Sequence, residues 1–379
     1  MIGNLDITTL QSLWWVLDSV VGSIFLFLIF VQGGQTLLWQ VARDDMEKAL
    51  VINSIGRKWE LTFTTLVLFG GGLFAAFPKF YATSFGGAYW VWMLILFTFI
   101  VQAVSFEYRK KPANFLGAKV YEIFLFLNGS VGILLIGAAV GTFFTGSNFV
   151  LNSYNLVTWT TPLRGLEAAF SLFNLSMGLF LVFHARTLGA MYLVNNIDFT
   201  GREDMEQRLR KAALVNLVCS LPFLLYILAS FVFMDGYAVN PETGSVSMEA
   251  GKYIHNIMAM PVVAALLLVG LLLVIYGVAA TSFMNKRSGI WFGGFGTVFT
   301  GLAIFFTAAF NNTPFYPSKA DLQSSLTIFN ASSSHYTLTA MTYVAFIIPF
   351  VLAYIAYVWY LMDSRRLSEN ELTGEHEAY

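Results

Sequence analysis

The chain has 379 residues, of which 57% are hydrophobic and 17% aromatic, while Asp, Glu, Lys and Arg together make up 11% and the net charge is −1. A soluble globular domain carries about 25% charged residues, so a mostly water-covered surface is excluded, and no basic excess offers a nucleic-acid partner. The single cysteine, Cys219, excludes an intrachain disulfide and any paired-cysteine motif.

Nine apolar runs are long enough to cross a bilayer. They are read as helices, because a segment in lipid must satisfy its own backbone hydrogen bonds. The first covers 11–38 and carries Asp18; it is too long, and lacks the basic flank, for a cleavable signal. The second, 61–78, is entered through Arg57, Lys58, Trp59 and Glu60 and holds Gly70, Gly71 and Gly72, expected to make a close helix–helix contact. The third, 80–106, closes at Glu107, and the fourth, 120–145, opens around Glu122. The fifth, 163–189, has Glu167 near one end and His184 near the other. The sixth, 210–234, contains Cys219, expected to be a small packing residue. The seventh, eighth and ninth cover 256–283, 289–312 and 337–362, and the connection 313–336 is expected to form an ordered cap. The fold class is therefore an all-α integral membrane protein, one transmembrane domain over 1–379. FLFLIFVQ (25–32) and LFLVFHA (179–185) echo one another on helices that run in the same direction. They suggest a four-plus-four parallel duplication with a ninth helix added.

Lys and Arg set the orientation. Of the 21, only Lys79, Arg164, Lys252 and Lys319 fall on one side of the alternating connections. This predicts an external N-terminus and a cytoplasmic C-terminus. Chemistry-bearing residues are few. His184 is the one histidine well within a run; His255 and His335 lie at external helix ends and His376 in the tail. A lone internal histidine makes a poor haem site and is expected to be structural. No HExxH motif, phosphate loop or metal cluster is evident. The acids Glu60, Glu107 and Glu122 all fall at the cytoplasmic boundary of consecutive helices, where ionisable groups are candidates for handling protons. Arg109 is expected to pair with Glu107.

The stretches RDDMEKALVINSIGRKWE (43–60), FGGGLFAAFPKFYATSF (69–85), VSFEYRKK (104–111), IGAAVGTFFTG (136–146) and PFYPS…SLTIFNASSSHYTLTAMTYVA (314–345) resemble subunit II of the cytochrome bd quinol oxidases. The resemblance runs over the whole chain. It implies a nine-helix subunit that ligates no haem and pairs with a subunit I carrying two b haems and haem d, in a complex of the bacterial cytoplasmic membrane. That complex oxidises quinol and reduces dioxygen to water. Small single-helix subunits, membrane lipid and a structural quinone are further implied partners, and subunit II is expected to help form proton and oxygen routes. Where the family has HWDGN, this chain has Lys58, Trp59 and Glu60; the acids of its first helix are replaced by VQGGQ (31–35), and a common Arg by Gln102. Glu60, Glu122 and Glu107 are thus the expected proton-path residues, with Lys58 and Trp59 as proton-path or quinone neighbours. The alternatives are a purely structural scaffold, or a secondary transporter, which the absence of charge from the middles of helices six to nine disfavours.

Overall fold

The computed structural model describes residues 3, 5–111 and 114–373, so His376 lies outside them. Among the described residues nine helices are long and apolar enough to cross a membrane. They are span one Ile7–Thr36, two Asp45–Ala76, three Tyr89–Tyr108, four Ala118–Thr145, five Leu172–Asn196, six Glu203–Phe233, seven Pro261–Ser282, eight Gly289–Ala309 and nine His335–Asp363. Each expected run corresponds to one span, but several boundaries move for local reasons.

Span three starts at Tyr89, not at 80, because Pro78 opens a separate turn, Pro78–Tyr81, followed by a π-turn at Ala82–Gly86. Span five starts at Leu172, not at 163, because Gly165 takes a left-handed φ of 98°. Glu167 therefore sits in a short 3-10 turn and accepts from the Gly165 N–H at 2.9 Å. At its other end span five runs to Asn196, which moves His184 from the end of a helix to its middle. Pro261 separates the helix Lys252–Ala259 from span seven. In span nine Pro349, which has no N–H, interrupts the helix between His335–Ala345 and Ile348–Asp363. Two hairpins were not expected: β1 Phe149–Leu151 with β2 Val157–Trp159, and β3 Asp235–Val239 with β4 Val246–Ala250, both antiparallel.

The connection 313–336 is an ordered cap. Phe315, Tyr316, Leu326, Ile328 and Ala331 are buried. Ser333 N–H donates to the Ala76 carbonyl at 2.8 Å, satisfying an acceptor that the end of span two would otherwise leave open. Beneath the cap Phe315 packs on Trp15 (4.5 Å between ring centroids), Phe80 (5.1 Å) and Phe77 (5.8 Å). Each such aromatic pair contributes roughly 0.5–1.5 kcal/mol beyond area burial. Cys219 does not pack: span six buries Ala212, Asn216 and Ser220, and the cysteine faces out beside Val215 and Val218.

The three glycines of span two divide their roles. A Cβ on Gly71 meets nothing within 4 Å, and one on Gly70 would make ordinary contact with Phe85. A Cβ on Gly72 would collide with the Asp18 carboxylate of span one, which is 3% exposed. Only Gly72 is thus dictated by packing. Gly72→Ala should destabilise the protein in detergent and lower its thermal midpoint. Gly71→Ala should be neutral or raise stability by about 0.5–1 kcal/mol, because glycine is a poor helix residue. Equal losses for both variants would contradict this division.

Candidate functional site

The three acids expected to act together occupy different environments at the end of the bundle where most cations gather. Glu122, in the first turns of span four, is 3% exposed. Its Oε1 accepts from Arg109 Nη2 at 2.7 Å and Nε at 3.3 Å; its Oε2 accepts from Trp39 Nε1 at 3.0 Å and Lys48 Nζ at 3.3 Å. Arg109 therefore pairs with Glu122, not with Glu107 as expected. Residues two apart on a helix point to opposite sides, so Glu107 faces out while Arg109 turns in. Glu60, in the first turn of Trp59–Ala76, is also exposed. The two exposed acids belong to neighbouring helix ends, because Trp59 stacks on Phe106 at 6.0 Å with an interplanar angle of 10°.

Lys58 is 2% exposed and donates to Asp363 Oδ1 at 3.0 Å. The same oxygen accepts from Asn196 Nδ2 at 3.1 Å, and Oδ2 accepts from Trp359 Nε1 at 2.6 Å. Ser54 extends the cluster by donating to Asn196 Oδ1 at 2.6 Å. Lys58 also lies 5.4 Å from the Trp359 ring centroid, in cation–π range. Sequence reading missed Asp363, which falls one residue past the last apolar position; its i,i+4 spacing from Trp359 was the available signal. Trp59 Nε1 is buried without a hydrogen-bond partner.

A chain of buried amides runs from span one to span four. Gln35 Nε2 donates to Asn128 Oδ1 and to the Leu125 carbonyl, each at 2.7 Å; Gln102 Nε2 donates to Gln35 Oε1 at 3.0 Å; and Asn128 Nδ2 donates to Thr98 Oγ1 at 3.4 Å. Asn128 opens a π-turn, Asn128–Gly132, a distortion often found at functional positions. VQGGQ thus supplies neutral hydrogen-bonding groups to a dry interior. The Leu125 carbonyl used by Gln35 lies one turn from Glu122.

The segment after span nine is tied down. Leu367 exchanges backbone hydrogen bonds with Asn196 and Asp198 at 2.9 Å, and Arg202 bridges Asp44 (2.7 Å) and Glu369 (3.0 Å). The Glu47 N–H, and after it Arg202, hold the Asp44 carboxyl below its ordinary value; Arg202 does the same for Glu369. Among the described residues no three His, Cys, Asp or Glu side chains gather as a metal site.

Nine spans among the described residues, a capped end and charge clusters gathered at the cation-rich end define a multi-pass helical membrane protein. The family profile described as cytochrome bd terminal oxidase subunit II matches residues 10–362. The cytochrome bd-I ubiquinol oxidase subunit 2 of Escherichia coli K12 is 31% identical, over 99% of this chain and all of that protein. The cytochrome bd ubiquinol oxidase subunit 2 of Bacillus subtilis is 24% identical, over 96% of this chain and 98% of that one. The fold is similar to a chain of the bd oxidase from Geobacillus thermodenitrificans, with a TM-score of 0.63 at 14% identity, covering 93% of this chain and 97% of that one. The chain belongs to the cytochrome bd terminal oxidase subunit II family, and it is a multi-pass protein of the inner membrane.

Two outcomes are expected. Glu122→Gln leaves Arg109 buried without its counter-charge, a change that costs about 3–5 kcal/mol for a buried pair, whereas Glu60→Gln should leave stability unchanged; thermal unfolding of the purified complex measures both. Acid should release the segment around Glu369. Carboxyls held below their ordinary values, 4.5 for Glu369 and 3.8 for Asp44, stabilise above those values and lose the contribution as pH falls through the depressed ones. Limited proteolysis after residue 363 should therefore accelerate below pH 4.5, and more slowly in Arg202→Gln, whose clasp is already weakened at neutral pH.

Proposed function

We propose that this chain is the haem-free subunit II of a quinol-oxidising terminal oxidase and pairs with a haem-bearing subunit I. The observation that carries the reading is an uncovered flank. No residue of Ile348–Asp363 in span nine is buried, so that half of the helix is held by its inner end and not by its sides. Spans two and three present Leu68, Phe74, Phe97 and Ile100 outward, and span nine presents Phe350 and Tyr357. Gly71 adds open space on the span-two flank where another backbone can approach closely. A broad aromatic surface with a small-residue gap suits a protein partner in lipid.

In this reading the cation-rich end faces the cytoplasm. Glu60 and Glu107 sit at the foot of the partner-facing flank and supply carboxylates for a proton entrance at the subunit boundary. Glu122 contributes through its network with Arg109 and Lys48, next to the amide chain, rather than as a free acid. Trp59, with an unsatisfied indole N–H, and Lys58 line the same region and suit a water or quinone oxygen. Oxygen would reach the partner's haems through the apolar bundle.

The test is to purify the tagged chain with whatever accompanies it and record the visible spectrum. Co-purification of a haem d-bearing partner is expected, and a colourless lone chain would overturn the pairing. In that complex Glu60→Gln with Glu107→Gln should slow quinol oxidase turnover and proton uptake from the cytoplasmic side with haem content intact. Unchanged turnover and uptake would leave the chain a scaffold.

A further inference from the structure

Arg186 is a cation on a membrane-spanning helix, ten residues before the end of span five. A charge in such a segment is a functional candidate by default. Its Nε donates to Asn216 Oδ1 of span six at 2.7 Å. Nη1 donates to the Thr36 carbonyl at 3.1 Å and to the Thr36 hydroxyl at 2.9 Å, and Nη2 donates to Gln40 Oε1 at 2.5 Å. A guanidinium has five N–H groups, so one hydrogen of Nη2 is left over. The acceptors are all neutral: they satisfy hydrogen bonds and do not cancel the charge. The acids of the neighbouring segments are spent on other cations. Glu47 holds Arg208 at 2.6 Å, and Glu206 holds Arg210 at 2.5 Å. Among the described residues no carboxylate forms an ion pair with Arg186.

The surroundings open toward the bilayer at headgroup level. Arg186 is itself partly exposed, and Gln40 is exposed in the short helix Leu38–Val41 that follows span one. Trp39, exposed beside Gln40, stacks on Phe126 at 5.5 Å, and amphipathic rings of this kind collect at the membrane–water interface. On span six Val215, Val218 and Cys219 are exposed around Asn216. Arg43, three residues past Gln40, and Lys211, the last charge before the apolar run of span six, are exposed and form no ion pair. The chain thus supplies a guanidinium with a spare donor and two further open cations, but no anion.

We propose that Arg186 binds the phosphate of an anionic phospholipid in the leaflet at the cation-rich end, with the headgroup beside Gln40 and the acyl chains against Val215 and Val218. A zwitterionic lipid also carries a phosphate, but its own cation would meet Arg43 and Lys211, whereas an anionic headgroup is drawn by all three. One charge-assisted hydrogen bond to the phosphate corresponds to a preference of about tenfold. The site stands apart from the partner-facing flank and from the acids of the proton entrance, and does not rest on the oxidase reading.

The experiment uses the purified chain with whatever accompanies it, washed in detergent and placed in phosphatidylcholine nanodiscs with graded phosphatidylglycerol. Native mass spectrometry counts the lipid that stays bound. Phosphatidylglycerol held about tenfold above its bulk share is expected. Gln40→Glu, at an exposed position where folding is not at risk, sets a carboxylate within hydrogen-bond reach of Nη2. It should supply the missing counter-charge and expel the lipid with assembly intact. Arg186→Gln should also lose the lipid, and Arg186→Lys should keep part of it. Inorganic phosphate alone should neither bind nor displace it. Phosphatidylglycerol at its bulk share, equal retention of phosphatidylcholine, retention indifferent to Gln40→Glu, or displacement by inorganic phosphate would each overturn the proposal. A preparation that holds no lipid yet loses thermal stability in Gln40→Glu would assign the guanidinium to an acidic side chain of a partner chain, and would overturn it as well.

Discussion

The bundle depends on the close crossing of spans one and five. A Cβ on Gly33 would run into the Ala185 carbonyl, and one on Gly189 into the backbone of Gly34. With no side chains between them the two helices meet backbone to backbone, the arrangement that drives association in lipid, where apolar side chains gain little by leaving the bilayer. The crossing brings Arg186 within reach of the Thr36 hydroxyl (2.9 Å) and Asn216 (2.7 Å), so that a cation inside the membrane is satisfied by neutral oxygens. It also holds His184, one residue before Ala185, against span eight, where its Nε2 lies 2.8 Å from Thr297 Oγ1.

Acids at the cation-rich end are handled in two ways. Glu122 is buried and Asp363 partly buried, and both are fully engaged, each with a lysine or arginine and an indole N–H. Such pairs contribute little net stability compared with apolar packing, and breaking one is costly; their value is that they fix geometry. Asp363 pins the inner end of a helix that buries almost nothing along its length, and Glu122 ties span four to spans one, two and three. Glu60 and Glu107 are the opposite case, exposed at neighbouring helix ends. The amides of Gln35, Gln102 and Asn128 lie between these regimes, polar but neutral, and so cheap to keep at depth once mutually bonded.

The number of spans, their order and the family were legible in the amino-acid sequence, because a lipid-embedded helix needs an unbroken apolar run and because motifs such as FGGGLFAAFP are local strings. The cap over 313–336 was legible for a related reason, its dense alternation of Asn, Ser, Pro and aromatic residues. The site was only partly legible. Glu60, Glu107 and Glu122 carry the same signal, an acid at a helix end, and composition cannot report helix rotation. Rotation turns Glu107 out and Arg109 in, and brings Arg109 to an acid thirteen positions away on the next span. Asp363 was invisible for the same reason, since it acquires its meaning from Lys58 on another helix; the glycine triplet was legible as a helix contact, but that Gly72 alone makes it, against Asp18, was not. Apolar periodicity determines that a segment crosses the membrane. Which of its faces meets a neighbour, a cavity or an open flank is decided only when the helices pack, because in lipid nearly every face is apolar and the pattern no longer distinguishes inside from outside.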